Sequence, residues 1–222
     1  MVIRDVAVGA AEDGYLPVTL DTSRGSVACR YYPAAGSHRA AVWVGGVGGG
    51  WDTPARGLYP RLCADLVHEG IASLRVRFRH PTILEEAVLD VLAGLSYLEA
   101  EGIAKVALTG HSFGGAVVIQ AAAASPLVRT VVALATQSYG TDVVRDLAPR
   151  CAVLLIHGTH DQVLAPINAE LVYRLAGEPK QVVLLEGAGH VLDEAAQEVY
   201  RSTRAWILRY LDADVPRAGH PA

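Results

Sequence analysis

Five short apolar runs, at 41–44, 105–109, 130–135, 152–157 and 181–185, set the frame of this chain. None of them alternates with polar residues. A strand with one wet face alternates; a strand covered on both faces does not. Each run is bounded by glycine or polar residues, and segments of helical pattern lie between them. The pattern predicts an α/β fold, a mostly parallel twisted sheet with helices on both faces and right-handed crossovers.

The start of the chain is different. Residues 16–21 and 27–32 read as strands joined by Thr22-Ser23-Arg24-Gly25, an antiparallel hairpin, with an edge strand at 3–8 before it. The clearest helix spans 82–99. Thr82 and Glu85 are placed to form a capping box, and Ile83, Leu84, Ala87, Val88, Val91, Leu92, Leu95 and Leu98 make one broad stripe. A last helix spans 194–211, with Val199, Thr203, Trp206, Ile207 and Tyr210 at helical spacing. Residues 212–222 carry two prolines and read as a loose tail, which leaves 1–211 as a single domain.

Composition narrows the class. Of 222 residues, 51% are hydrophobic and 19% charged, values that exclude disorder and coiled coil. A net charge of -4 with no basic stripe argues against a nucleic-acid partner. No apolar run approaches the ~20 residues of a membrane span, and the N-terminus lacks a signal-peptide pattern. The expectation is a cytoplasmic protein that needs no membrane; whether it is a monomer or a homodimer stays open. Cys29, Cys63 and Cys151 each sit in an apolar or strand-like context, which points to buried free thiols.

The chemistry centres on Gly110-His111-Ser112-Phe113-Gly114-Gly115. A buried strand precedes this G-x-S-x-G turn, and 116–124 reads as a helix directly after it. Such a turn is tight and needs small neighbours. A serine hydroxyl is a weak nucleophile without a base in reach and a group that orients the base. Two later segments end buried strands with suitable residues: His157-Gly158-Thr159-His160-Asp161 and Gly187-Ala188-Gly189-His190. Reactive groups gather at the C-terminal ends of strands in an open parallel sheet.

The order Ser112, Asp161, His190 in this context resembles the α/β-hydrolase family over nearly the whole chain. The resemblance implies Ser112 as nucleophile, His190 as general base and later acid, and Asp161 as the orienting carboxylate. It also implies an oxyanion hole built from two backbone N–H groups. One belongs to Phe113. The other comes from the loop Gly45-Gly46-Val47-Gly48-Gly49-Gly50, where Val47 is the donor by position. Many relatives carry His-Gly in place of Gly45-Gly46.

Several residues have two readings. His157, His160 and Asp161 spell H-x-x-H-D, which suits a triad acid better than a metal, and no third cluster offers ligands. Arg75, Arg77 and Arg79 share one face of an expected strand at 71–80 and call for carboxylates, with Glu85, Glu86 and Asp90 as candidates. Alternatively, Arg79 and His80 reach the active-site mouth and favour acidic substrates. Trp51 either walls the acyl pocket or packs on the glycine loop. Val163 and Val191 flank the acid and the base and are candidate pocket walls. His111 reads as a packing residue inside the turn.

The interval 137–150, where many relatives insert a helical cap, holds one crossover helix at about 141–147 and no cap. The chain is similar in size to compact carboxylesterases, dienelactone hydrolases and thioesterases. Serine rather than cysteine at the turn sets it apart from the dienelactone group. The resemblance implies a lidless serine hydrolase, with no cofactor or metal, acting on a small carboxylic ester, lactone or thioester through an acyl-enzyme. The alternatives are an acyltransferase or perhydrolase with the same triad, and a non-catalytic binding protein on the same fold.

Overall fold

The computed structural model describes residues 1–212. Nine strands form one sheet: β1 (Ile3–Val8), β2 (Leu16–Thr22), β3 (Gly25–Tyr32), β4 (Arg39–Val44), β5 (Ala72–Val76), β6 (Lys105–His111), β7 (Val128–Leu134), β8 (Ala152–Gly158) and β9 (Lys180–Leu185). Their order is β1-β2-β3-β5-β4-β6-β7-β8-β9. The first three strands pair antiparallel, and β3 joins β5 antiparallel. From β5 to β9 all pairs are parallel. The apolar runs are the parallel strands and the opening hairpin is the antiparallel start.

Five helices cover the sheet: α1 (Pro54–His68), α2 (Leu84–Ala100), α3 (Phe113–Ala124), α4 (Ile167–Leu175) and α5 (Ala196–Tyr210). Two cores result, one on each face. One gathers Leu20, Leu74, Val91, Leu108 and Ile119. The other gathers Trp43, Tyr59, Leu62, Leu154, Trp206 and Ile207. Strands β4, β6, β7 and β8 feed side chains alternately into both, which is why their sequences do not alternate. Strand β9 departs from that expectation. It is the outer strand, and Gln181 and Leu184 are exposed.

Other boundaries also shift. The expected strand at 71–80 is shorter, Ala72–Val76; Arg77 N–H still bonds the Ala28 carbonyl in register with β3, and Arg79 N–H then turns to Asp90. The expected capping box is not made. Helix α2 begins at Leu84 after Ile83, with no side-chain cap. Between β7 and β8 the chain makes only a short 3₁₀ turn, Asp142–Asp146, so no cap covers this end of the sheet. Asp212, placed in the expected tail, pairs with Arg39 and Lys105. The rest of that tail, 213–222, lies outside the described residues. No described helix is long and apolar enough to cross a membrane.

Candidate active site

Ser112 stands between β6 and α3 at φ 57°, ψ −121°, a backbone conformation that L residues rarely adopt. Close packing imposes it. A Cβ on Gly110 would collide with the Gly114 carbonyl, and one on Gly114 with the Gly45 carbonyl. Ser112 N–H donates to Leu134 O at 2.8 Å, which fixes the turn against β7. The serine is thereby lifted to the C-terminal edge of the sheet, at the N-terminus of α3.

His190 comes from the loop after β9 and Asp161 from the loop after β8. His190 Nε2 lies 3.0 Å from Ser112 Oγ. His190 Nδ1 lies 2.8 Å from Asp161 Oδ2. The other carboxylate oxygen, Oδ1, accepts the N–H groups of Val163 and Leu164, both at 2.8 Å. Burial pushes the Asp161 carboxyl up. The bonds from His190, Leu164 and Val163 outweigh this and hold it below the usual carboxylate range. An ionised Asp161 keeps the proton of neutral His190 on Nδ1, which leaves Nε2 free to accept from the serine.

The His190 loop is tied down from several sides. His111 Nε2 donates to the His190 carbonyl at 2.9 Å. Ala55 N–H donates to Val191 O at 2.7 Å and Arg56 N–H to Asp193 Oδ1 at 2.8 Å. Both donors sit in the left-handed first residues of α1, at φ 50° and 52°. Glu194 accepts the Gly189 N–H at 3.1 Å. Sequence reasoning missed these supports. Their partners lie up to 137 residues apart, so no local pattern announces them.

The glycine loop passes directly over the serine. A Cβ on Gly46 would come within 3.3 Å of Ser112 Cβ. The N–H groups of Val47 and Phe113 have no hydrogen-bond acceptor among the described residues. Val47, Val163 and Val191 are all exposed apolar residues, on the loops after β4, β8 and β9.

Three other candidates have surroundings of their own. Arg79 points to the β2–β3 hairpin. Its Nε donates to Asp90 at 2.5 Å, its Nη2 to Glu86 at 2.9 Å, and its Nη1 to the Arg24 carbonyl. The carboxylate-pairing expectation thus holds for Arg79, with Asp90 and Glu86 as partners. His80 is exposed and lines a shallow depression with Ser23, Arg24, Arg79, Ile83 and Glu86, a lining that includes none of Ser112, Asp161 and His190. Trp51 packs against two arginines. Its ring lies under the guanidinium of Arg30 at 4.4 Å and near that of Arg75 at 5.6 Å, and its carbonyl accepts from Arg75 at 2.6 Å. Among the described residues no group of three His, Cys, Asp or Glu side chains could hold a metal ion.

Comparison with known proteins agrees with this architecture. The model of the dienelactone hydrolase family matches residues 65–207. The esterase domain of a Rhodothermus marinus protein is 23% identical, with a TM-score of 0.70 over 93% of this chain and 100% of that one. A dienelactone hydrolase from Anabaena variabilis is 18% identical, with a TM-score of 0.73 over 89% and 98%. A cold-adapted esterase from an Arctic intertidal metagenomic library is 17% identical, with a TM-score of 0.72 over 93% and 98%. At these identities the structures share the fold. Among curated proteins no match is found.

Proposed function

The chain belongs to the dienelactone hydrolase family, a family of ester- and lactone-cleaving enzymes, and on that premise we propose that it is a serine hydrolase of small carboxylic esters, lactones or thioesters. Serine in place of cysteine at the turn is no bar to membership. The observation that carries the proposal is the hydrogen-bonded line Ser112–His190–Asp161, with links of 3.0 and 2.8 Å.

In this reading His190 takes the Ser112 proton as Oγ attacks the carbonyl carbon. The oxyanion forms between the free N–H groups of Phe113 and Val47, and losing one such donor costs roughly 100- to 1,000-fold in rate. His190 then passes its proton to the leaving group, and the acyl group stays on Ser112. Water, deprotonated by His190, releases the acid and restores the serine. Ionised Asp161 supports the imidazolium in both halves. No step calls for a cofactor. The open, capless edge and the exposed Val47, Val163 and Val191 support a small, partly apolar substrate.

Intact-protein mass after treatment with a fluorophosphonate tests this. One adduct is expected on the native chain and none on Ser112→Ala. A native, folded chain that takes no adduct would overturn the assignment.

A further inference from the structure

His157 is the next-to-last residue of β8, four residues before Asp161, and its side chain is fully buried. Its Nε2 donates to the Leu164 carbonyl at 2.8 Å and sits 3.0 Å from Asp161 Oδ2, the oxygen that faces His190. Leu164 in turn donates its N–H to Asp161 Oδ1 at 2.8 Å. His157, Leu164 and Asp161 therefore form a closed chain of contacts. The other ring nitrogen, Nδ1, is buried and has no hydrogen-bond partner among the described residues.

That orphaned nitrogen is informative. Leaving a buried polar atom unpaired costs about 1–3 kcal/mol. The rest of β8, from Ala152 to Ile156, is uniformly apolar, so an apolar side chain at position 157 would avoid the cost. Something on the Nε2 side offsets it. The carbonyl of Leu164 can only accept, so the Nε2–H tautomer is fixed. The same N–H places its positive end beside Oδ2. One imidazole thus anchors the turn from 161 to 164 and touches the carboxylate oxygen that faces His190.

We propose that His157 is a positioning residue, which holds the Asp161 carboxylate in line with His190 through Leu164 and by its own contact with Oδ2. The inference rests on Ser112, His190 and Asp161 working as a triad. Asp161 keeps its two backbone donors without His157, but the turn that carries them loses its anchor. Small misplacements of catalytic groups cost up to about 100-fold in rate.

The test compares native enzyme, Ser112→Ala, His157→Leu and His157→Gln in p-nitrophenyl acetate hydrolysis and fluorophosphonate labelling. His157→Leu should lower kcat about tenfold to 100-fold with KM within about twofold. Its acidic limb should move to lower pH, because a poorly held Asp161 stabilises the His190 imidazolium less. His157→Gln, whose amide N–H reaches toward the same carbonyl, should recover most of kcat and the limb. If the Leu variant does not fold, His157→Asn, polar but too short to reach Leu164, takes its place. Native kcat and limb in the Leu variant, a limb moving upward, or equal loss in the Leu and Gln variants would each overturn the proposal while native labelling persists. Native enzyme that fails to label overturns the triad, and this inference with it.

Discussion

His111, one residue before Ser112, donates from Nε2 to the carbonyl of His190, 79 residues later, across 2.9 Å. The two rings are 4.9 Å apart. The serine turn and the His190 loop are thus joined by a bond outside the Ser112–His190 contact itself. Burial pushes the His111 pKa down to about 4, against an ordinary value of about 6.5. The folded state therefore keeps His111 neutral while the unfolded chain takes up a proton. Stability should fall as pH drops from about 6.5 and level off below about 4, by on the order of 3 kcal/mol in total. His111→Gln retains an N–H donor and removes the titration. Urea unfolding at neutral pH and near pH 4 should show a shallower loss for the variant than for the native protein. Parallel losses would sink the assignment.

The serine turn tolerates no extra atom. In Gly114→Ala the new methyl meets the Gly45 carbonyl, and in Gly110→Ala it meets the Gly114 carbonyl. Both obstacles are backbone, so the strands themselves must move. Each variant should lose at least about 1–3 kcal/mol and most activity. Gly102→Ala, at φ 86° with nothing within 4 Å, makes the control and should cost about 1 kcal/mol with activity kept. Chemical denaturation and ester turnover on the three variants decide this.

Arg79 and Asp90 are a structural pair. The Asp90 side chain is fully buried and that of Arg79 is 8% exposed. Burial raises the Asp90 carboxyl above its ordinary value despite two hydrogen bonds from Arg79 and the charge of its guanidinium. Removing one member of a buried pair costs about 3–5 kcal/mol, because the other charge is left behind. Arg79→Ala should therefore lower the unfolding midpoint strongly. Its residual activity should fall equally on acidic and neutral esters. Selective loss on acidic esters would return Arg79 to the substrate site.

The thiols should be silent in the folded protein. Cys29, Cys63 and Cys151 are all buried and unpaired. Burial pushes Cys63 and Cys151 up to about 12 and raises Cys29 as well. A thiol that stays protonated is a poor nucleophile. Iodoacetamide at neutral pH should add nothing to the native chain and three groups after unfolding in denaturant. Rapid alkylation of any one in the native state contradicts the burial.

Much of the site was legible because its parts sit at punctuated places. Ser112, Asp161 and His190 each follow a strand of the parallel part of the sheet, and such strand ends share one edge. Arg79 and Trp51 were ambiguous for the opposite reason. Whether a side chain turns toward Ser112 or toward Asp90 depends on where β5 stops. A hydrogen bond from Arg79 N–H to Asp90 on α2 draws the chain off the sheet there.

The sequence by itself determined the layers, the parallel order of apolar strands, the antiparallel start and the residue types available at the serine edge. Those features follow from periodicity and from local backbone geometry, which neighbours in the chain control. The tertiary structure alone decided the roles of His111 and His157, the bracing of the His190 loop by Ala55 and Arg56, and the capture of Arg79 by Asp90. Each of these depends on hydrogen bonds between segments far apart in sequence. Only the packed sheet brings those donors and acceptors within reach, and burial makes an unpaired one costly.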